Sequence, residues 1–244
     1  MINIPSVRPE TRYGVPPADQ HLFNREYIVG YSYLFRQPRW AMEVIDPENQ
    51  RVEMDSRLNS FRIDLRLPAL FRAGLEDYVG SGFDRGHLVA SADRRSSGIL
   101  NSETFLLSNM CPQHPELNRG RWKELEELIR ELSRSPKVVE IYCICGPLFD
   151  IGRKIKVIGD DPDTRLDSVV PIPHSFFKSI LVEGLRGRLR LWSFILPNNG
   201  TSKPLQAYNV ATEEIEHRSG LLLWDRLIDP AFERKKKKVA KVWF

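Results

Sequence analysis

The pattern of apolar and polar positions predicts a mixed α/β (α+β) protein with a largely antiparallel central sheet flanked by helices. Residues 138–147 and 176–182 are nearly continuous apolar runs, which are typical of strands covered on both faces. Residues 188–196 alternate over their first half, as a half-exposed strand does. Residues 27–33 and 38–45 predict an antiparallel hairpin at the start of the sheet.

A long amphipathic segment predicts a helix over residues 118–133. Its apolar residues recur at helical spacing and form one stripe, consisting of Trp122, Leu125, Leu128, Ile129 and Leu132. Ser102, with Glu103 after it, predicts a helix start. Thr212 begins a shorter helix that should end near Gly220.

The two ends of the chain differ from the rest in composition. Residues 1–25 are polar and rich in proline, which predicts an extended arm over the domain or over a neighbouring subunit. Residues 26–230 show no repeat or internal boundary, so we expect one domain there, with a loop-rich insertion at residues 150–167. Residues 231–244 form a basic tail whose run of four lysines is either a solvated end or an auxiliary nucleic-acid contact.

Composition narrows the class of protein. In 244 residues, 41% are hydrophobic and 28% are charged, which is the balance of a globular domain and not of a disordered chain. The formal charge of +4 gives a weak attraction to polyanions, so the positions of the arginines matter more than the total. Cys111, Cys143 and Cys145 cannot form a fully paired disulfide framework, and we expect Cys143 and Cys145 to be small core residues.

The sequence contains no recognisable targeting segment. Residues 1–9 lack the basic start and apolar run of a secretory signal and the pattern of a transit peptide. A membrane-spanning helix needs ~20 apolar residues, and no stretch approaches that length. We expect a cytoplasmic protein with no membrane partner; the alternative is export by another route or through a processed signal.

The residues with candidate chemistry lie between Gly82 and Arg130. The sequence Asp84-Arg85-Gly86-His87 contains an imidazole that can accept a proton from water near neutral pH. About thirty residues later, Asn118 offers a neutral oxygen that suits Mg²⁺. Glu126 follows about 80° round the predicted helix, so the two side chains can face one cleft.

Each of these residues also has an ordinary structural interpretation. A lone histidine is more often structural than catalytic, and Asn118 could act as a helix N-cap. A helical glutamate such as Glu126 is usually a solvated surface residue. The order and spacing of the whole set favour the functional interpretation.

The set Asp84-Arg85-Gly86-His87, Asn118, Trp122 and Glu126 resembles the DNA/RNA non-specific endonuclease family. The resemblance runs from roughly Tyr27 to Leu223. It includes the segments 78–82, 104–109, 146–148, 170–178 and 219–222.

The resemblance implies a ββα-metal catalytic element on one side of the sheet. It also implies Mg²⁺-dependent cleavage of DNA and RNA, with Mn²⁺ or another divalent ion as an alternative, little sequence preference and 5′-phosphate products. The implied roles are catalysis by Asp84, Arg85, His87 and Glu126, substrate binding by Arg62, Arg85, Arg130 and Asn109, and metal binding by Asn118 as the single direct protein ligand. Within this set, His87 is the general base, Asp84 orients the motif and Glu126 holds a water of the metal.

Two alternatives remain open from the sequence. One is a nucleic-acid-binding protein that keeps the fold without catalysis, and the other is a nuclease directed to 5′ ends. The resemblance implies a homodimer, for which Trp192, Trp224 and the apolar carboxyl end would supply the interface. An inhibitor or activator protein is a further expected partner, because an untargeted nuclease must be restrained to spare its host.

Overall fold

The computed structural model describes residues 8–45, 58–159, 169–200 and 203–244, and its main element is a seven-stranded antiparallel sheet. In their order across the sheet, its strands are β1 (Gln20–Phe23), β2 (Tyr27–Ser32), β3 (Gln37–Ile45), β6 (Val138–Leu148), β9 (Ser175–Gly184), β10 (Arg188–Pro197) and β11 (Asn209–Val210). Two further antiparallel pairs are β4 (Asp84–His87) with β5 (Met110–Gln113), and β7 (Val157–Ile158) with β8 (Val170–Pro171). The predicted hairpin and the three later strands are confirmed.

Helices cover both faces of the sheet. The α-helices are α1 (Gly98–Glu103), α2 (Lys123–Ser133), α3 (Thr212–Ser219) and α4 (Pro230–Lys236), and a π-helical turn, Leu117–Trp122, runs directly into α2. Leu125 and Ile129 of α2 pack with alternate residues of β6 and β9 on one face. Ile215 of α3 and Phe232 of α4 pack on the opposite face. β4, β5 and α2 together form a ββα element on the α2 side.

The long strands are central because both of their faces are apolar. Cys143 and Cys145 of β6 lie in the core on the α2 side, whereas Tyr142 and Ile144 lie in the core on the other side. The three cysteines are buried free thiols, as expected for small core residues. No helix among the described residues has the length and apolar character needed to cross a bilayer.

The two ends of the described chain pack against the domain. Within the predicted extended arm, residues 20–23 join the sheet as the edge strand β1, which pairs with β2 and buries Leu22. Residues 1–7 lie outside the described part.

The predicted basic tail is also structured. Phe232 enters the core, and the ammonium of Lys236 is buried 3.1 Å from Glu216. Phe232 and Lys236 therefore fix the segment against the domain, whereas Lys235, Lys237 and Lys238 are exposed, as expected for a solvated run of lysines.

Two smaller predictions need correction. The first helix starts at Gly98, because the side chain of Ser97 caps it by accepting a hydrogen bond from the Ile99 amide; Ser102 lies inside the helix. Trp192 and Trp224 are buried within the chain, where their indole nitrogens donate to Lys241 and Ser179, so they cannot supply a dimer interface. Of the predicted insertion at 150–167, residues 160–167 lie outside the described part of the chain, which resumes at 169.

Candidate active site

The β4–β5 hairpin presents Arg85 and His87 beside the start of α2. Asp84 pairs with Gln113 and His87 with Met110 across the hairpin. Gly86 lies so close to Gln113 that a β-carbon there would meet its side-chain oxygen at 2.3 Å. Glycine at this position therefore allows the two strands to approach.

Asn109 supports the strand end that carries His87. Its Oδ1 accepts a hydrogen bond from the Val89 amide at 3.0 Å, and its Nδ2 donates to the carbonyls of Val89 and Thr104. The side chain has no exposed surface. The predicted substrate contact by Asn109 does not fit this position, because its whole amide group is occupied by the backbone.

Asn118 lies within the π-helical turn, whose N-cap is Glu116, so the alternative of Asn118 as a helix N-cap is wrong. Its Nδ2 donates to Oδ2 of Asp84 at 2.8 Å. Arg119 donates to both oxygens of the same carboxylate, at 2.9 and 2.7 Å. Partial burial raises the pKa of Asp84, but the hydrogen bonds from Arg119 and Asn118 outweigh it and hold that pKa below its usual value.

The turn brings the predicted residues of α2 to the same cleft as the hairpin. A cavity of about 340 Å³ is lined by Arg85, His87, Ala90, Ser91, Ala92, Asn118, Arg119, Lys123, Glu126 and Arg130. Five of the predicted site residues therefore share one opening. The cleft is lined by more cationic side chains than acidic ones, because Glu126 is its one acidic lining residue in the described part of the chain, so it suits an anionic ligand.

Aromatic rings brace the hairpin side of the cleft. The guanidinium carbon of Arg85 lies 4.2 Å from the ring centroid of Phe61. The His87 ring makes edge contacts with Phe61 and Phe105, at centroid distances of 5.6 and 5.1 Å. These contacts restrict the orientations of both functional groups.

The α2 side of the cleft is built on buried charges. Arg130 pairs with Asp93 at 2.9 Å. The carboxylate of Glu126 lies 3.9 Å from the ammonium of Lys178, and within the described part of the chain its Oε1 has no hydrogen-bond partner. Burial raises the pKa of Glu126 to about 8, although Lys178 acts in the opposite direction.

Arg62 is not brought into this cleft. Its Nη1 donates to the carbonyls of Ser60 and Ser102, at 3.1 and 2.8 Å. Its backbone is hydrogen bonded to the segment at residues 105–107. The position of Arg62 therefore does not support the predicted phosphate contact, because its guanidinium is turned to backbone oxygens.

The sequence matches the family model for DNA/RNA non-specific endonuclease over residues 6–229. The chain belongs to this family. Family members that it resembles include human mitochondrial endonuclease G, with 37% identity over 86% of this chain and 71% of the relative. The mitochondrial nuclease of Saccharomyces cerevisiae is 35% identical over 88% of this chain and 69% of the relative.

A solved structure of EndoG in complex with EndoGI shares the fold. It superposes with a TM-score of 0.79 at 31% sequence identity, and the match covers 89% of this chain and 90% of that one. A fungal nuclease from Syncephalastrum racemosum is 36% identical over 86% of this chain and 69% of its own length. The family assignment makes this chain a nuclease that hydrolyses phosphodiester bonds.

Three residues beside the family motif escaped the sequence analysis. Arg119 clamps Asp84, Phe61 stacks on Arg85, and Lys178 faces Glu126. A signal existed for Lys178, because a lysine inside the otherwise apolar run 176–182 must find a partner when that strand is buried. For Arg119 and Phe61, the decisive contacts are between segments far apart in sequence.

The side chains at the cleft fit a hard cation that keeps most of its water. Among the described residues, no group of three or more His, Cys, Asp or Glu side chains is placed to enclose a metal. The available oxygens are Oδ1 of Asn118, whose amide nitrogen is fixed by Asp84, and the carboxylate of Glu126, whose side chain is 11% exposed. Mg²⁺ is often bound through one or two protein oxygens, with water and substrate phosphate completing its coordination.

Proposed function

We propose that this chain is a divalent-metal-dependent endonuclease that cleaves the backbone of DNA and RNA without sequence preference and leaves 5′-phosphate ends. The observation that carries the proposal is the convergence of Arg85, His87, Asn118, Glu126 and Arg130 on one cleft. Membership of the DNA/RNA non-specific endonuclease family supports the substrate class.

His87 is the general base in this proposal. Its imidazole accepts a proton from water, the water oxygen forms a bond to phosphorus, and the bond from phosphorus to the 3′ oxygen breaks. The departing oxygen takes up a proton from solvent water and becomes a 3′ hydroxyl, while the phosphate stays on the 5′ oxygen of the next nucleotide. An imidazole with a reference pKa of about 6.5 is partly neutral at physiological pH, which this step requires.

Arg85 and Arg130 bind the phosphate. A guanidinium presents several N–H donors in one plane, which matches two phosphate oxygens. Stacking on Phe61 fixes the plane of Arg85, and pairing with Asp93 fixes Arg130 at the cleft. Contacts to the backbone instead of the base edges account for weak sequence preference.

Asn118 and Glu126 hold the metal in this proposal. When bound, a divalent ion such as Mg²⁺ polarises the scissile phosphate and offsets negative charge on the leaving oxygen. Asn118 would bind it directly through Oδ1, and Glu126 would accept a hydrogen bond from one of its waters of hydration. The hydrogen bond from Asn118 to Asp84 leaves Oδ1 as the oxygen available to the metal.

Two partner proposals accompany this function. The similarity to EndoG in its complex with EndoGI, a structure of EndoG inhibition, supports a protein inhibitor as a partner of this chain. We also propose a homodimer, which sedimentation velocity would test, although its interface must lie away from the buried Trp192 and Trp224.

Product analysis tests the proposed reaction. The purified protein is incubated with supercoiled plasmid and with single-stranded RNA, in Mg²⁺ or in chelator, and the new ends are assayed for phosphate. The proposal predicts metal-dependent nicking of the plasmid, loss of RNA and 5′-phosphate ends. Survival of both substrates in Mg²⁺, or 3′-phosphate ends, would contradict it.

A further inference from the structure

A buried lysine lies beneath the α2 side of the cleft. Lys178 is in the central strand β9 and is 1% exposed. Its ammonium is 3.9 Å from Oε1 of Glu126 and 4.6 Å from the ring centroid of Trp122. Resting on the proposed function, we infer that Lys178 is a positioning residue that holds the Glu126 carboxylate at the cleft by charge from the sheet below.

The burial of the ammonium explains why its partner matters. A charged group removed from water is strongly destabilising unless an opposite charge lies close to it. The other acid that interacts with Lys178, Glu43, is itself 3.1 Å from the buried guanidinium of Arg94. Of the two acids that interact with Lys178, Glu126 is the one that lines the cleft.

The geometry favours a charge interaction over a hydrogen bond. The distance of 3.9 Å is too long for a hydrogen bond, and no donor among the described residues is hydrogen bonded to Oε1 of Glu126. In a buried site, the attraction between two charges is screened far less than at the surface. The ammonium is therefore the main contact that this oxygen has within the protein.

Trp122 completes the arrangement. It lies four residues before Glu126, so the two side chains are neighbours on one face of the helical segment. The ammonium of Lys178 interacts with the indole ring of Trp122 by a cation–π contact, in addition to its charge interaction with the carboxylate of Glu126. The lysine thus joins two adjacent turns of the metal-binding helical segment to the middle of the sheet.

A purely structural role for Lys178 is the competing explanation. In that case the lysine would stabilise Trp122 and the sheet, and its effect on the site would not depend on whether residue 126 carries a charge. A double-mutant cycle separates the two explanations, because it measures whether the effects of two substitutions are independent.

The cycle uses Lys178→Met, Glu126→Gln and the double variant. The readouts are the affinity for Mn²⁺, measured by electron paramagnetic resonance without substrate, and the melting temperature in chelator. Lys178→Met should weaken Mn²⁺ binding about tenfold, as is typical for residues that orient metal ligands and their waters. In the Glu126→Gln background the same change should alter Mn²⁺ binding less than about twofold.

The melting temperatures should show the same coupling. At about pH 9, where the carboxylate of Glu126 is ionised, each single variant leaves one buried charge without this partner. Each should therefore melt below the wild type, and the double variant should melt higher than the sum of the two losses predicts. Lys236→Met is the matched control, because it removes a buried lysine from an ion pair with Glu216, and Lys236 is not among the residues that line the cleft. It should lower the melting temperature without changing Mn²⁺ affinity.

Additive effects in both readouts would overturn the inference, as would a loss of Mn²⁺ affinity in Lys236→Met equal to that in Lys178→Met. If Lys178→Met does not fold, a folded double variant supports the coupling, whereas failure of both overturns it. The proposed function is tested separately, by nucleic-acid cleavage with the wild-type protein in Mg²⁺. If the wild type cleaves no nucleic acid, the proposed function fails, whichever result the double-mutant cycle gives.

Discussion

The side-chain amide of Asn118 donates a hydrogen bond to the carboxylate of Asp84 at 2.8 Å, across a sequence separation of 34 residues. This contact links the hairpin that carries His87 to the helical segment that carries Glu126. It also fixes which end of the Asn118 amide is engaged by the protein. The two halves of the motif therefore act as one unit.

Weakening this link should weaken metal binding. In Asp84→Asn, the loss of charge removes the strong acceptor for both Asn118 and Arg119, so the Mg²⁺ concentration for half-maximal cleavage should rise about tenfold. Arg119→Gln is the matched variant. Because Arg119 is 72% exposed, its pair with Asp84 is screened by water, and the change should be smaller. Equal Mg²⁺ requirements in Asp84→Asn and wild type would contradict the role given to Asp84.

Arg85 and Arg62 should differ sharply in their effect on catalysis. Arg85→Gln removes a guanidinium that lines the cleft, and kcat/KM should fall by about a hundredfold or more. Arg62→Gln removes a guanidinium bonded to two backbone carbonyls outside the cleft, and kcat/KM should fall less than about tenfold. Steady-state cleavage of a labelled oligonucleotide measures both. A larger loss in Arg62→Gln would show that Arg62 moves to the phosphate when substrate binds.

Replacing Asn109 should lower the stability of the fold. Asn109→Ala removes three hydrogen bonds to the backbone from a fully buried position, so the free energy of unfolding should fall by about 2–4 kcal/mol. Urea unfolding measures the change. The exposed Asn199→Ala is the control and should stay within about 0.5 kcal/mol of the wild type. A normal stability with lost activity would instead favour direct substrate contact by Asn109.

The stability of the metal-free protein should depend on pH through Glu126. Burial raises the pKa of Glu126 from 4.5 to about 8, so the folded chain keeps this proton at pH values where the unfolded chain has lost it. The stabilisation from this group is complete below about pH 4.5 and is lost as the pH rises through about 8. Over that window the free energy of unfolding in chelator should fall by on the order of 2–4 kcal/mol more in the wild type than in Glu126→Gln. Parallel pH curves for the two proteins would contradict the raised pKa.

The sheet was predictable because the hydrophobic pattern of each strand is visible in its local sequence. β6 and β9 are apolar on both faces, and the stripe of α2 has helical spacing, so local sequence and tertiary burial agree. The convergence of His87, Asn118 and Glu126 was also predictable. The ordered motif and its family resemblance predicted it, although the regular helix assumed from Asn118 is interrupted by a π-helical turn with a non-helical Gly120.

The errors occurred where long-range contacts decide the structure. Local composition describes residues 231–244 as a basic tail, but Phe232 and Lys236 find partners on α3 and the sheet. The position of Arg62 depends on the carbonyl of Ser102, forty residues away. Such pairings have no local signature in the sequence, whereas the buried Lys178 does.

The most direct test of the account is plasmid cleavage in Mg²⁺ by the wild type, His87→Ala and Asn118→Ala, with His174→Ala as the control. His174 bonds to the backbone of Asp150 and does not line the cleft, so its replacement should leave cleavage near the wild-type rate. Loss of the general base or of the metal ligand should reduce the rate by about a hundredfold or more. His87→Ala and Asn118→Ala cleaving as fast as His174→Ala would contradict the central claim that these two residues carry the chemistry.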